Sequence, residues 1–297
     1  MMIAFSTGSL HTYGLARVAH LAAAAGFDGL ELMVDDRWDT RDATHLRAVV
    51  ESAGIPIVSV HAQARPGNRG WEEDEVARLH RAVTLAHAVG ARTVVAHPPL
   101  RYRWVSLRHP PFITLAMVTP FRQRSPYRRW LLAELESYQA REAITIAIES
   151  MPRHRLGPWL VDLFEMNEIR DLRRFPAVTL DTTHVATWGV DLLETYEVLA
   201  HCVAHVHLSN YDGRQHRLPQ DGSLALGPLL AALRRRGYEG AIVVELQPDA
   251  LEAGDEGRVR GRLAETVAFC RAHFIADPHR RGIDGQAAWM KDSASLT

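Results

Sequence analysis

Cysteine, net charge and long apolar runs are what this sequence has little of. Two cysteines, Cys202 and Cys270, occur in 297 residues, which leaves no disulfide framework and suits a reducing compartment. Lys+Arg 34 against Asp+Glu 35 gives a formal net charge of -1, so the overall field does not draw in nucleic acid, which is disfavoured as a partner. The most apolar runs, such as 21–25 and 144–148, fall far short of the roughly 20 residues that cross a bilayer, and no membrane span is expected. The opening MMIAFSTGSLH lacks the basic and long apolar regions of a signal peptide, and a cytoplasmic location is expected. No Gly-rich phosphate turn follows the first strand, which disfavours a doubly wound dinucleotide-binding sheet.

What is present is a rhythm. Short β-branched runs begin near Ile3, Asp28, Ile55, Arg92, Ile144, Val178, Cys202 and Gly240. Each is followed by a stretch of helical period, at 13–25, 41–53, 72–89, 128–141, 159–172, 192–200, 224–236 and 256–274. Glycine closes several of the helices, as at Gly26, Gly54, Gly90 and Gly237. Eight strand–helix pairs predict an α/β fold, a single (β/α)8 TIM barrel over 1–275, with a long insertion after the fourth strand. The insertion, 97–126, reads as an irregular loop with an apolar part, 112–118, and is an oligomer contact, a poorly ordered insertion or a lid over the barrel mouth; a homo-oligomer is the expectation drawn from the apolar part. Residues 276–297 carry no sustained period and read as a loosely ordered tail.

Sixteen histidines are the unusual component, and their placement matters. Side chains alternate faces along a strand. With Ile144, Ile146 and Ile148 turned to the helices, Glu149 points into the barrel at its C-terminal mouth. With Ile242, Val244 and Leu246 outward, Glu245 lands there too. The same parity brings in Asp181 with His184 just beyond it, and His207. The second, third and fourth strands add Glu31, His61 and His97, while His205 sits one layer deeper as filling or support. One strand-end His or Glu is an ordinary hydrogen-bonding group, but this many buried together compete for the same protons unless a cation joins them. An O/N donor set without thiolate suits one divalent metal, Mn²⁺, Mg²⁺, Co²⁺ or Zn²⁺.

At these residues the sequence resembles the xylose-isomerase-like TIM-barrel superfamily, which includes sugar isomerases and epimerases and the endonuclease-IV-type apurinic (AP) endonucleases. The matching stretches are GFDGLEL (26–32), VSVHA (58–62), VVAHP (94–98), AIES (147–150), LDTTHVATWGVD (180–191), HVHLSN (205–210), HRLPQDG (216–222) and GYEGAIVVEL (237–246). The resemblance implies a metal held by Glu149, Asp181, His207 and Glu245, with Glu149 and Glu245 as the catalytic acid and base on opposite faces of a bound sugar or polyol. It implies that His184, His216 and Arg214 or Arg217 hold hydroxyls or a phosphate. In the nuclease branch His61, His97, His184 and His216 would instead complete a zinc cluster for phosphodiester hydrolysis. There the expected aspartate is Arg214, which removes an anionic ligand. Seven arginines, Arg101, Arg103, Arg108, Arg122, Arg124, Arg128 and Arg129, form either a phosphate rim or a solvated loop. A metal-dependent lyase or dehydratase acting on a keto-inositol or oxidised glycoside would start from the same deprotonation. A catalytically silent binding barrel would have no need of a second, opposed glutamate.

Overall fold

The computed structural model describes residues 2–62, 74–109, 113–122 and 125–275. In chain order the elements are β1 Met2–Ser6, α1 Leu15–Ala25, β2 Gly29–Met33, α2 Ala43–Ala53, β3 Ile57–His61, α3 Glu75–Val89 and β4 Thr93–Ala96. There follow β5 Tyr102–His109, β6 Ile113–Arg122, α4 Pro126–Ala133, α5 Leu135–Glu142, β7 Thr145–Glu149, β8 Arg153–Leu156, β9 Trp159–Asp162 and α6 Ile169–Leu172. The last third holds β10 Val178–Asp181, α7 Thr182–Ala186, α8 Leu192–Leu199, β11 Val203–Leu208, α9 Leu226–Arg235, β12 Ala241–Val244 and α10 Glu256–Ile275.

Eight parallel strands close a barrel in the order β1-β12-β11-β10-β7-β4-β3-β2, so the (β/α)8 expectation is met. Local chemistry sets the ends of its helices. Asp42, Asp74 and Asp191 each accept a backbone N–H at the start of α2, α3 and α8. Gly26, Gly54 and Gly90 end α1, α2 and α3 with left-handed φ, where a side chain would be strained.

Alternation along the strands divides the interior into two media. Ile3, Phe5, Leu32, Val60, Val94, Ile146, Ile148, Leu180, Val206, Ile242 and Val244 face the helices and join one apolar cluster with them. Ala4, Ser6, Ser59, Val95, Ala147, Thr179 and Val243 are equally buried but stand outside that cluster, in the lumen. Two irregularities interrupt the strand register, between Leu30 and Glu31 where β2 meets β3, and between Val178 and Thr179 where β10 meets β11.

Three expectations need correction. The stretch 159–172 is not one helix: β8 and β9 pair antiparallel, Arg153 opposite Asp162, and only Ile169–Leu172 is helical. Gly157 at φ 60 followed by Pro158 turns the chain before Trp159, and cross-strand pairing overrides the helical spacing of the apolar residues. The helix expected at 128–141 starts earlier, at a Ser125 cap, and breaks at Glu134 into α4 and α5. The insertion is not irregular; β5 and β6 form a hairpin with Tyr102 opposite Arg122. The proposed oligomer contact or lid at 112–118 concerns residue 112 and side chains outside the described residues, as does the tail from 276.

Gly240 leads into β12 where an added Cβ would collide with the carbonyl oxygen of Ala204 and the ring of Tyr238. Gly240→Ala should therefore cost about 1–3 kcal/mol, read as a lower denaturant midpoint at unchanged slope. Burial pushes the Cys202 thiol up to about 11 and that of Cys270 up to about 12. Neither should react with a thiol-specific disulfide reagent at pH 8 until the protein is unfolded, when both should.

Candidate metal centre

The centre is built at the C-terminal ends of four strands. Asp181 closes β10 and also caps α7: its Oδ1 accepts from the N–H of Thr183 and of His184, both at 2.8 Å, and from Thr183 Oγ1 at 2.9 Å. That leaves Asp181 Oδ2 buried with no hydrogen-bond partner. Glu149 ends β7, His207 lies in β11, and Glu245 follows β12, with its N–H donated to Leu208 O at 3.4 Å. Nδ1 of His207 is 2.9 Å from Glu149 Oε1, 3.0 Å from Glu245 Oε2 and 3.8 Å from Asp181 Oδ2. Ligand atoms from these four residues all lie within 4.8 Å of one another. The Glu149 side chain is 1% exposed and that of Glu245 16%, so Glu245 is the one nearer solvent.

Two further groups adjoin this one. His61 Nε2 and His97 Nε2 are 3.1 Å apart and lie 3.3 and 3.1 Å from Glu149 Oε2. Asp181, His184 and His216 form the other. The His184 Nδ1–H donates to Ser150 O at 2.8 Å, which leaves Nε2 free to ligate. His216 is buried at φ 58, a left-handed conformation costly for a non-glycine residue, and its carbonyl accepts from Gln247 N–H at 3.0 Å.

The arginines stand apart. Arg214 is 64% exposed and paired with Asp212 at 3.0 Å and Asp249 at 3.5 Å; Arg217 shares Asp249 at 2.8 Å. Arg214 lines a pocket of about 330 Å³ with Arg153, Arg155, Thr187, Tyr211 and Gln215. In the expected arginine rim, Arg101 donates to Phe164 O at 2.9 Å and Arg128 pairs with Glu165 at 3.3 Å, so both brace the segment after β9. Arg129 is exposed, and the side chains of Arg103, Arg108, Arg122 and Arg124 lie outside the described residues.

Glu31 corrects the reading that placed it with the mouth residues. It sits beneath His207, wholly buried, and accepts from His205 Nε2 at 2.8 Å and Ser59 Oγ at 2.9 Å. Sequence reasoning also passed over Ser150, whose Oγ accepts the Asp181 N–H at 3.0 Å and whose carbonyl orients His184. No spacing or composition signal singles that serine out.

Protonation shows how far the cluster needs positive charge. Burial alone would raise the Glu149 and Glu245 carboxyls, but the His207 imidazolium outweighs it, holding Glu149 well below the usual range and Glu245 at about 2. Burial would lower His207, and the charges of Glu31, Glu245 and Glu149 instead raise it well above its usual value. A proton on His207 thus serves as the cation. Glu149 Oε2, Asp181 Oδ2 and Glu245 Oε2 all remain buried without hydrogen bonds, the condition of oxygens suited to an ion. Nitrogens and oxygens about 2.0–2.1 Å from a tetrahedral ion stand roughly 3.3 Å apart, which the His61, His97 and Glu149 separations match. The residues fit a divalent metal.

A closed parallel barrel with carboxylates and imidazoles gathered at its C-terminal mouth is the arrangement in which a TIM barrel builds its active site. The Xylose isomerase-like TIM barrel family model matches residues 19–272, and the chain belongs to that family. It is 25% identical to an uncharacterized protein of Mycobacterium tuberculosis over 92% of this chain and 98% of that one. Among solved structures it is similar to the 3-keto-D-glucoside 4-epimerase of E. coli, with a TM-score of 0.63, 20% identity, and coverage of 90% of this chain and 99% of that one. It is similar to the same degree, TM-score 0.63, to an AP endonuclease, family 2 from Brucella melitensis, at 18% identity over 91% of this chain and 99% of that one. At these identities the structures share the fold. Superfamily members are enzymes, and no helix among the described residues is long and apolar enough to cross a membrane.

Uptake of a metal at this candidate centre would displace the proton from His207, because a ligating imidazole is neutral. The His207 pKa is raised, so this proton is present at neutral pH and its release favours binding as pH rises. Calorimetric zinc titrations in buffers of different ionisation enthalpy should show about one proton released per ion at this site. Affinity should rise about tenfold per pH unit below the His207 pKa.

Proposed function

We propose that the protein is a divalent-metal-dependent isomerase or epimerase of a small sugar or polyol, working by proton transfer next to a carbonyl. The observation that carries this reading is the pair Glu149 and Glu245. Both approach the same imidazole nitrogen, at 2.9 and 3.0 Å, from strands that β11 and β10 separate in the barrel wall. A divalent ion held by Glu149, Asp181, His207 and Glu245 would supply positive charge against the enediolate that develops on the substrate.

The chain's own groups do the rest. Glu245, the more exposed of the two, takes the proton from the carbon next to the carbonyl, and Glu149, itself protonated by the His61 imidazolium 3.3 Å from its Oε2, delivers one from the other side. Return to the same carbon epimerises; return to the neighbouring one isomerises. His184 and His216, with rings 5.4 Å apart, hold hydroxyls beside the reacting carbons. The 330 Å³ pocket at Arg155, Tyr211 and Arg214 receives the far end of the substrate.

A second reading, a multi-zinc phosphodiester hydrolase of the AP endonuclease type, has one observation in its favour: the His61, His97 and Glu149 group, ready for another ion. Against it, the Asp181, His184 and His216 group has Arg214 turned to solvent where the nuclease branch carries a second carboxylate. Elimination by a lyase begins with the same proton abstraction and is distinguished by its product.

Metal content of protein purified without chelator, measured by elemental mass spectrometry, divides these readings. About one equivalent of Mn, Co or Mg per chain is the expected result for proton transfer, and close to two or three of Zn is the result for hydrolysis. In D₂O, a panel of ketoses, inososes and 3-keto-glycosides should reveal a substrate that gains deuterium at the carbon next to its carbonyl. Glu149→Gln and Glu245→Gln should each slow that exchange by about 100-fold or more with the fold intact. Undiminished exchange in either variant removes that glutamate from the pair.

A further inference from the structure

Below the four-residue set lies a second polar layer to which the proposed chemistry assigns no role. Its members Glu31, His205 and Ser59 are all fully buried in the barrel lumen, as is His207 of the set above them. Glu31 Oε2 accepts from His205 Nε2–H at 2.8 Å and from Ser59 Oγ–H at 2.9 Å. Its Oε1 lies 3.0 Å from His207 Nε2, at an angle outside hydrogen-bond geometry, and neither atom has a hydrogen bond to anything else. The opposite ring nitrogen of His207, Nδ1, faces Glu149, Asp181 and Glu245. A buried carboxylate therefore stands behind the imidazole, on the side away from the mouth.

We propose that Glu31 is a positioning residue for the metal centre: its charge, 3.0 Å from His207 Nε2, holds the proton on that nitrogen and so presents Nδ1 as ligand, and His205 and Ser59 hold Glu31 in place. The inference rests on the metal reading of the centre above it. An imidazole ligates with one nitrogen only when the proton is on the other, and a carboxylate at that other nitrogen sets the tautomer and makes the ligand more basic. The two oxygens of Glu31 meet two ring nitrogens, so both can act as donors. Glutamine could accept from one ring but would turn an N–H₂ toward the other, donor against donor. The charge is used as well as the shape, since a lumen holding Glu149, Asp181 and Glu245 would not add a fourth carboxylate without giving it something to orient. Both register irregularities of the barrel fall here, one where Glu31 comes opposite Ser59 and the other where Thr179 comes opposite His205. Such shifts re-aim side chains.

The test uses the full chain and zinc alone. Zinc affinity, read by competition with a chromophoric chelator, should weaken about 10–100-fold at one site in Glu31→Gln. In ¹⁵N-histidine spectra the zinc-loaded wild type should show His207 protonated at Nε2 and bare at Nδ1, and the variant should lose that pattern. Ser59→Ala, which removes one support and leaves the carboxylate, should fold normally and weaken zinc a few-fold; it serves where Glu31→Gln is not stably folded. Zinc affinity within twofold of wild type in both variants, with the His207 tautomer unchanged, overturns the proposal. A wild-type chain that takes up no zinc removes this proposal and the metal reading together, whereas a zinc-binding wild type matched by its variants removes this one alone.

Discussion

Burying carboxylates is the constraint that shapes the mouth of this barrel. Glu31, Glu149 and Asp181 are fully enclosed and Glu245 nearly so, in a volume where an uncompensated charge costs several kcal/mol. The compensation comes from imidazoles, whose charge can be supplied or withdrawn. His207 sits at the centre of the arrangement because three carboxylates face one of its nitrogens and a fourth the other. His61, whose proton is favoured by Glu149 despite burial, and His97, where burial prevails, show the same balance settled in opposite directions a few ångströms apart.

The barrel makes this concentration affordable by keeping it away from what holds the fold together. Outward strand faces and inner helix faces share one apolar layer, and none of the chemistry-bearing side chains belongs to it. Stability and reactivity therefore reside on opposite parities of the same strands. Small residues such as Ala4, Ser6, Ser59 and Ala147 line the lumen beside the bulky polar groups and leave them room.

That parity is why so much of the centre was legible beforehand. Glu149, Asp181, His207 and Glu245 follow from alternation once eight strands are counted, and the structure brings their ligand atoms together. What escaped depends on information that a single strand does not carry. The depth of Glu31 reflects a register irregularity between neighbours. The β8–β9 hairpin depends on pairing between segments, while the apolar spacing of 159–164 also satisfies a helix. Arg214 and Arg217 occupy the right loop, but the nearby Asp212 and Asp249 decide where they point, and these carboxylates draw Arg214 into solvent. His205 was correctly placed one layer down by parity alone.

Asp181 spends its two oxygens differently. One is committed to the backbone at the start of α7, and the other is turned into the centre with no partner. Asparagine would keep the cap and forfeit the charge, serine would do the same with less reach, and glutamate would keep the charge and lose the cap. Each of these single substitutions thus surrenders one of two duties. A site of that kind is frozen by the coincidence of two modest demands on one small side chain, neither of which would fix its identity alone.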